Sequence, residues 1–172
     1  SILVPEGHEF TVEAGRPDSV NPTKLLSMLD LGVNRISINP QTMQDDILRR
    51  IGRGHSARDI DELLQYVKHN TSLAVNMDFI AGLPNQTMQN MIENMDYVCQ
   101  NLPENVTIHT LALKRGSPLY DLNMQDDIPE EHLVADMIQY GKERLEAAGY
   151  VPYYLYRQQY MRGQLENIGY TL

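Results

Sequence analysis

Four apolar segments of strand length, each separated from the next by segments with helical spacing, constrain the fold more than any other feature of this chain. Glu9 to Ala14 reads as a short strand with Phe10 and Val12 on one face, and Val33 to Ile38, Leu73 to Ala81 and Val106 to Leu113 follow it. Between the first two, Pro22 suits the first position of a helix, Leu25, Leu26, Met28 and Leu29 form its apolar face, and Gly32 suits the residue after its end. A short helical piece runs from about Gln44 to Ile51. Ser56, with Asp59 three residues on, makes a weak capping box ahead of Ile60, Leu63, Leu64 and Val67, which recur at the i, i+3, i+4, i+7 interval of a one-sided helix. Thr87 opens another helix with the inner stripe Met88, Met91, Ile92, Met95 and Val98. Pro129 begins a long helix ending near Ala148, with Gly149 after it, and Tyr153 to Tyr160 reads as a late strand or an edge. Alternation of this kind predicts parallel strands joined by right-handed crossovers. Four strands are too few to close a barrel, and an open doubly wound sheet fits the same pattern. No G-x-G-x-x-G follows any strand, which disfavours a dinucleotide-binding fold.

Composition narrows the functions. With 172 residues, 42% of them hydrophobic, the chain has the size and apolar content of one globular domain. The net charge of −9 argues against recognition of nucleic acid through its phosphates. No apolar run is long enough to span a membrane and no signal-peptide pattern is visible, so the expected location is the cytoplasm, with no membrane partner. Cys99 is the single cysteine; it excludes an internal disulfide and cannot by itself hold an iron–sulfur cluster. The chain opens on Ser1 and ends without an obvious stop signal, features expected of a fragment.

Asp78 is the most informative residue. It lies inside Val75-Asn76-Met77-Asp78-Phe79-Ile80, where a carboxylate must be paired, hydrogen-bonded or turned to a polar site. Near the C-terminal end of a parallel strand it faces the end at which active sites of barrels lie; a cap or an ion pair is the alternative. Glu13 and Gln41 stand at comparable strand ends. If the strands are parallel, the three converge on one face and suit a small polar ligand with hydroxyls and an amine. Arg53, between Gly52 and Gly54, is placed to grip a carboxylate bidentately, or else is a solvated loop arginine. The five histidines show no pair with metal-ligand spacing. Tyr153, Tyr154, Tyr156 and Tyr160 could stack on a flat macrocycle, though tyrosines are more often strand or interface residues.

Val12-Glu13, Asn34-Arg35-Ile36-Ser37 with Gln41, Arg49 to Arg53, and above all Asp78 to Thr87 (D-x-I-x-G-L-P-x-Q-T) resemble the oxygen-independent coproporphyrinogen III oxidases, which are radical S-adenosylmethionine (SAM) enzymes. The tail Tyr153-Tyr154-Leu155-Tyr156-Arg157-Gln158 and Glu166-Asn167-Ile168-Gly169-Tyr170 is similar to the coproporphyrinogen dehydrogenase-like branch in particular. The resemblance implies an α/β fold: a partial TIM-like (β/α) radical SAM barrel, of which this chain carries the last four parallel strands with helices on one face. Residues 1–125 would form the C-terminal part of the barrel, and residues 126–172 a helix and Tyr-rich extension of the same domain. It implies SAM and a [4Fe–4S] cluster as cofactors, with the cluster ligands outside this chain. Glu13 would bind the amino group of SAM and Arg53 its carboxylate. Gln41 and Asp78 would hold the ribose hydroxyls, and Ile80 and Ala112 would flank the adenine. The implied reaction of the intact enzyme converts two propionates of coproporphyrinogen III to vinyl groups with loss of CO2, giving protoporphyrinogen IX in haem biosynthesis. Its partners would be that tetrapyrrole and an electron donor for the cluster, with a possible dimer through the exposed barrel face; the fragment alone would be inactive. Related branches act as haem chaperones or on other substrates, and a noncatalytic barrel-derived module is the reading of another class. The chain departs from the family at Ala14-Gly15-Arg16-Pro17, where Asp-Pro or Asn-Pro is common after the glutamate, and at Asn39, often glycine.

Overall fold

The structure, a computed structural model, describes residues 10–14, 22–111, 127–156 and 167–172. The expected alternation is present. The elements are β1 (Thr11–Ala14), α1 (Pro22–Asp30), β2 (Arg35–Gln41), α2 (Asp45–Arg50), α3 (Ala57–Asn70), β3 (Ala74–Ala81), α4 (Met88–Asn101), β4 (Asn105–Thr110), α5 (Glu131–Ala147), β5 (Val151–Tyr156) and β6 (Asn167–Thr171). β1 to β4 are parallel and in sequential order, so each crossover places its helices back against the same sheet. The sheet then continues beyond the four expected strands: its order is β1-β2-β3-β4-β6-β5, and β6 is antiparallel to both neighbours.

The strand side chains alternate between two environments, as the period of two requires. Ile36 and Ile38 of β2, Val75, Met77, Phe79 and Ala81 of β3, Val106 and Ile108 of β4 and Tyr170 of β6 are buried in one core with α3, α4 and α5. The opposite, inner face carries Glu13, Arg35, Ser37, Asn76, Asp78, Ile80, Thr107, His109 and Gly169 by register. α5 lies close to β4 and α4 at Gly141, where an added Cβ would stand 2.5 Å from Ile108 Cδ1 and 3.1 Å from Met91 Cε. A larger residue there would require the Ile108 side chain to shift. α3 and α4 begin with complete caps, whereas α2 has no side-chain cap. Ser56 and Asp59 bond each other's backbone ahead of α3, and Thr87 and Asn90 do the same ahead of α4. The stripe of α4 is Met91, Asn94, Met95 and Val98, with Asn94 fully buried among the methionines.

Candidate cofactor-binding face

Parallel pairing fixes where the site residues fall. Glu13 stands opposite Ser37, and Ser37 opposite Asn76, so Glu13 belongs to an inner-face row that continues to Asn105 on β4. Asp78 lies two residues further along β3, opposite Thr107, and Ile80 two further still, opposite His109. Neighbouring strands are ~4.8 Å apart, so these rows form one polar surface. Beneath Asp78 the surface is knitted together: Arg35 donates to Asn76 Oδ1 at 2.7 Å, and Ser37 donates to Asn39 Oδ1 at 2.9 Å. Asp78 is 26% exposed, and its Oδ2 lies 3.8 Å from Nε2 of His109, which is 37% exposed. The carboxylate is thus turned away from the helices and toward the inner face. Glu13 is exposed there and makes no ion pair among the described residues.

Gln41 is reached differently. The β2–β3 ladder is irregular between Ile38 and Gln41, and Gln41 adopts a left-handed backbone, φ 68°. It is 8% exposed, yet among the described residues its amide nitrogen has only the 3.5 Å contact with Asn39 O. A buried amide with so little internal satisfaction is suited to bonding a ligand. The residues that hold this bend are on α4: Asn94 Oδ1 accepts from Met43 N at 2.9 Å and Asn94 Nδ2 donates to Thr42 Oγ1 at 3.1 Å. Arg53 follows α2, with its backbone N bonded to Leu48 O at 2.9 Å and Gly52 at φ 75° setting the turn. Its guanidinium has no ion pair among the described residues. The structure therefore brings Glu13, Asp78 and Ile80 to one face and puts Gln41 at the end of the adjacent strand. It does not bring Arg53 into contact with them. Ala112 lies outside the described residues.

Two features of this region were not among the residues singled out from sequence. His109 meets Asp78 only because β3 and β4 pair in this register, which sequence alone does not reveal. Gln86 organises the turn after β3: its Oε1 accepts from Gly82 N at 2.8 Å and Leu83 N at 3.1 Å, and its Nε2 donates to Ile80 O at 3.1 Å. The three bonds of this one buried side chain hold Gly82 to Thr87 together as a block. The signal was available, since a glutamine inside a Gly-Pro turn is placed to serve backbone groups. The turn also meets Asp127, whose backbone O accepts from Asn85 N at 2.7 Å and whose carboxylate pairs with Arg50.

In barrel-type α/β proteins ligands bind at the carboxyl ends of the parallel strands, the end toward which Asp78, Ile80 and Gln41 lie. The sequence pattern of the Radical SAM superfamily matches residues 3–98, more than half of the chain, and the chain belongs to that superfamily. It is 36% identical over 164 residues, 95% of its length and 33% of the relative's, to the oxygen-independent coproporphyrinogen-III oxidase-like protein HemZ of Bacillus subtilis. It is 28% identical to the heme chaperone HemW of Bacillus subtilis over 82% of this chain and 38% of that one. Among solved structures it resembles coproporphyrinogen III oxidase HemN from Escherichia coli, with a TM-score of 0.74 at 22% identity, over 83% of this chain and 33% of that one. The chain thus spans about a third of the length of the relatives it matches.

The superfamily implies SAM and a [4Fe–4S] cluster, and the two fare differently against the residues present. The inner face fits SAM: the exposed Glu13 for an amine, and Asp78 and the buried Gln41 for hydroxyls. The cluster does not fit. Cys99 is the one thiol of the chain, it is half-buried on α4 with Sγ 3.9 Å from Arg144 O, and burial raises its pKa. Among the described residues no group of three histidines, cysteines or acids could hold a metal ion, and no helix is long and apolar enough to cross a membrane.

Proposed function

We propose that this chain supplies the SAM-binding face of an enzyme that oxidatively decarboxylates propionate side chains of coproporphyrinogen III to vinyl groups. The observation that carries this reading is the 36% identity to HemZ across 95% of the chain. When bound, SAM supplies hydrogen abstraction from the propionate. The chain's own residues bind and orient it. Glu13 accepts hydrogen bonds from the amino group, and Arg53 pairs with the carboxylate once the loop after α2 is engaged. Asp78 and Gln41 take the ribose hydroxyls, and Ile80 and Ala112 flank the adenine. Each conversion would pass one hydrogen atom to the cleaved cofactor, release one CO2 and deliver one electron to an acceptor outside this chain. The cofactor performs the difficult step, and the protein's contribution is position.

A second reading has support in the similarity to HemW: a haem carrier with the same SAM face. One experiment separates the two. The full-length protein, reconstituted anaerobically, is given SAM, a reductant and coproporphyrinogen III, and a parallel sample is titrated with haem. Release of CO2 with vinyl-bearing product supports the oxidase. Tight haem binding without CO2 supports the carrier and rejects the oxidase.

A further inference from the structure

The inner face does not end at β4. Thr107 on β4, opposite Asp78, is itself opposite Gly169 on β6. The neighbours of Gly169 in β6 stand opposite core residues: Ile168 opposite Ile108, and the buried Tyr170 opposite Val106. Alternation therefore turns Gly169 to the side of Asp78. There its place is taken by an aromatic ring. A Cβ built on Gly169 would stand 3.0 Å from Tyr153 Cε1, 3.1 Å from Cζ and 3.3 Å from the hydroxyl oxygen. Tyr153 sits at the irregularity between Pro152 and Tyr154 in the β5–β6 ladder, which frees it from ordinary alternation and lets the ring lie over β6. The phenol end of the ring stands at the Cβ position of Gly169, while the residue as a whole is 55% exposed. Across the sheet, the order is Asp78, then Thr107 and His109, then the ring of Tyr153, a span of two strand spacings or ~10 Å.

We infer that Tyr153, seated on Gly169, is a stacking position for a planar pyrrole ring of the tetrapyrrole, beside the cofactor end of the face. This rests on the reading of the site given above and deepens it by naming a substrate contact. The chemistry follows from the placement. A phenol ring resting against Gly169 loses little further freedom when a second ring covers it, and stacked aromatic pairs attract beyond the area they bury. The missing Cβ of Gly169 leaves room for the phenol end of the ring; a methyl there would crowd it and force it to shift.

The test uses the full-length protein and four samples: wild type, Tyr153→Phe, Tyr153→Ala and Gly169→Ala. Coproporphyrinogen III and haem are each titrated under anaerobic conditions, and SAM affinity is measured separately by calorimetry. The expected result is that Tyr153→Phe binds tetrapyrrole within about twofold of wild type. Tyr153→Ala and Gly169→Ala should each bind about tenfold more weakly, with SAM affinity unchanged in all four. Unchanged SAM affinity also shows that the variants remain folded. Tetrapyrrole affinity equal to wild type in Tyr153→Ala overturns the stacking position and leaves the functional reading standing. Wild type that binds SAM but neither tetrapyrrole overturns both.

Discussion

Asp78 has two calls on one carboxylate. His109 lies 3.8 Å away on the next strand, and the proposed ribose contact needs the same oxygens. At that separation the histidine steadies the acid without saturating it, and a carboxylate has lone pairs to spare for a diol. In the full-length protein, Asp78→Ala and Arg53→Ala should each weaken SAM binding by ~1.5–3 kcal/mol, the worth of a hydrogen bond to a charged group. Calorimetry showing wild-type affinity in both would reject the site. Two buried tyrosines give a contrast at the same scale. Tyr150 donates to Pro103 O at 2.6 Å, whereas the hydroxyl of the buried Tyr170 has no hydrogen-bond partner among the described residues. Tyr150→Phe should therefore cost ~1 kcal/mol in denaturant unfolding, and Tyr170→Phe should be neutral or stabilising. Burial pushes the Tyr170 phenol up to about 12, so folding favours its neutral form. The stability this contributes is complete below pH ~10 and is lost as pH rises through the folded value, so Tyr170→Phe should flatten the alkaline loss. Legibility at this scale was uneven. An aspartate inside an apolar strand announces itself, because burying a charge has a cost that sequence makes visible. The histidine beside it does not, since its partner is set by register between strands far apart in the chain.

Elements were easier to read than their edges. Each of the first four strands and the helices between them falls where apolar periodicity and caps place it, and Ser56 and Thr87 are the N-caps expected. β2 runs on to Gln41 past the expected end because Asn94, two helices away, holds the irregular backbone there; a buried asparagine in a methionine stripe was the only hint. β6 was missed altogether. Its five residues include Gly169, which weakens any strand pattern, and what stabilises it is pairing with β4 and β5 together with Tyr170 in the core. Gln86 shows how one residue can define an element boundary. Gln86→Leu preserves volume but strips the amides of Gly82 and Leu83 and the Ile80 carbonyl of their partner inside the protein. The expected loss is at least ~2 kcal/mol in denaturant unfolding, because unmade buried hydrogen bonds cost more than made ones contribute. A smaller loss, below ~0.5 kcal/mol, would mean that water already serves the turn.

At the scale of the whole molecule, the sheet has two dissimilar halves. Its parallel part presents carboxylates and amides on the inner face, and its antiparallel part adds glycine and tyrosine on the same side. That division matches a reaction in which one half positions a polar cofactor and the other a large ring. What the division lacks is thiolate. A [4Fe–4S] cluster takes cysteine ligands in sets of three or four, and this chain has Cys99 alone, on α4 behind the sheet rather than on its inner face. Burial also raises that thiol's pKa, which disfavours the thiolate that iron requires. Anaerobic reconstitution of the 172-residue chain with iron and sulfide should therefore leave it colourless, with no SAM cleavage on addition of reductant. On the proposed site SAM binding and cluster binding would be separable, because none of Glu13, Gln41, Arg53, Asp78, Ile80 and Ala112 is a thiol. A brown chain with cluster absorption that survives Cys99→Ser would overturn this division, since no second thiol is present to account for it.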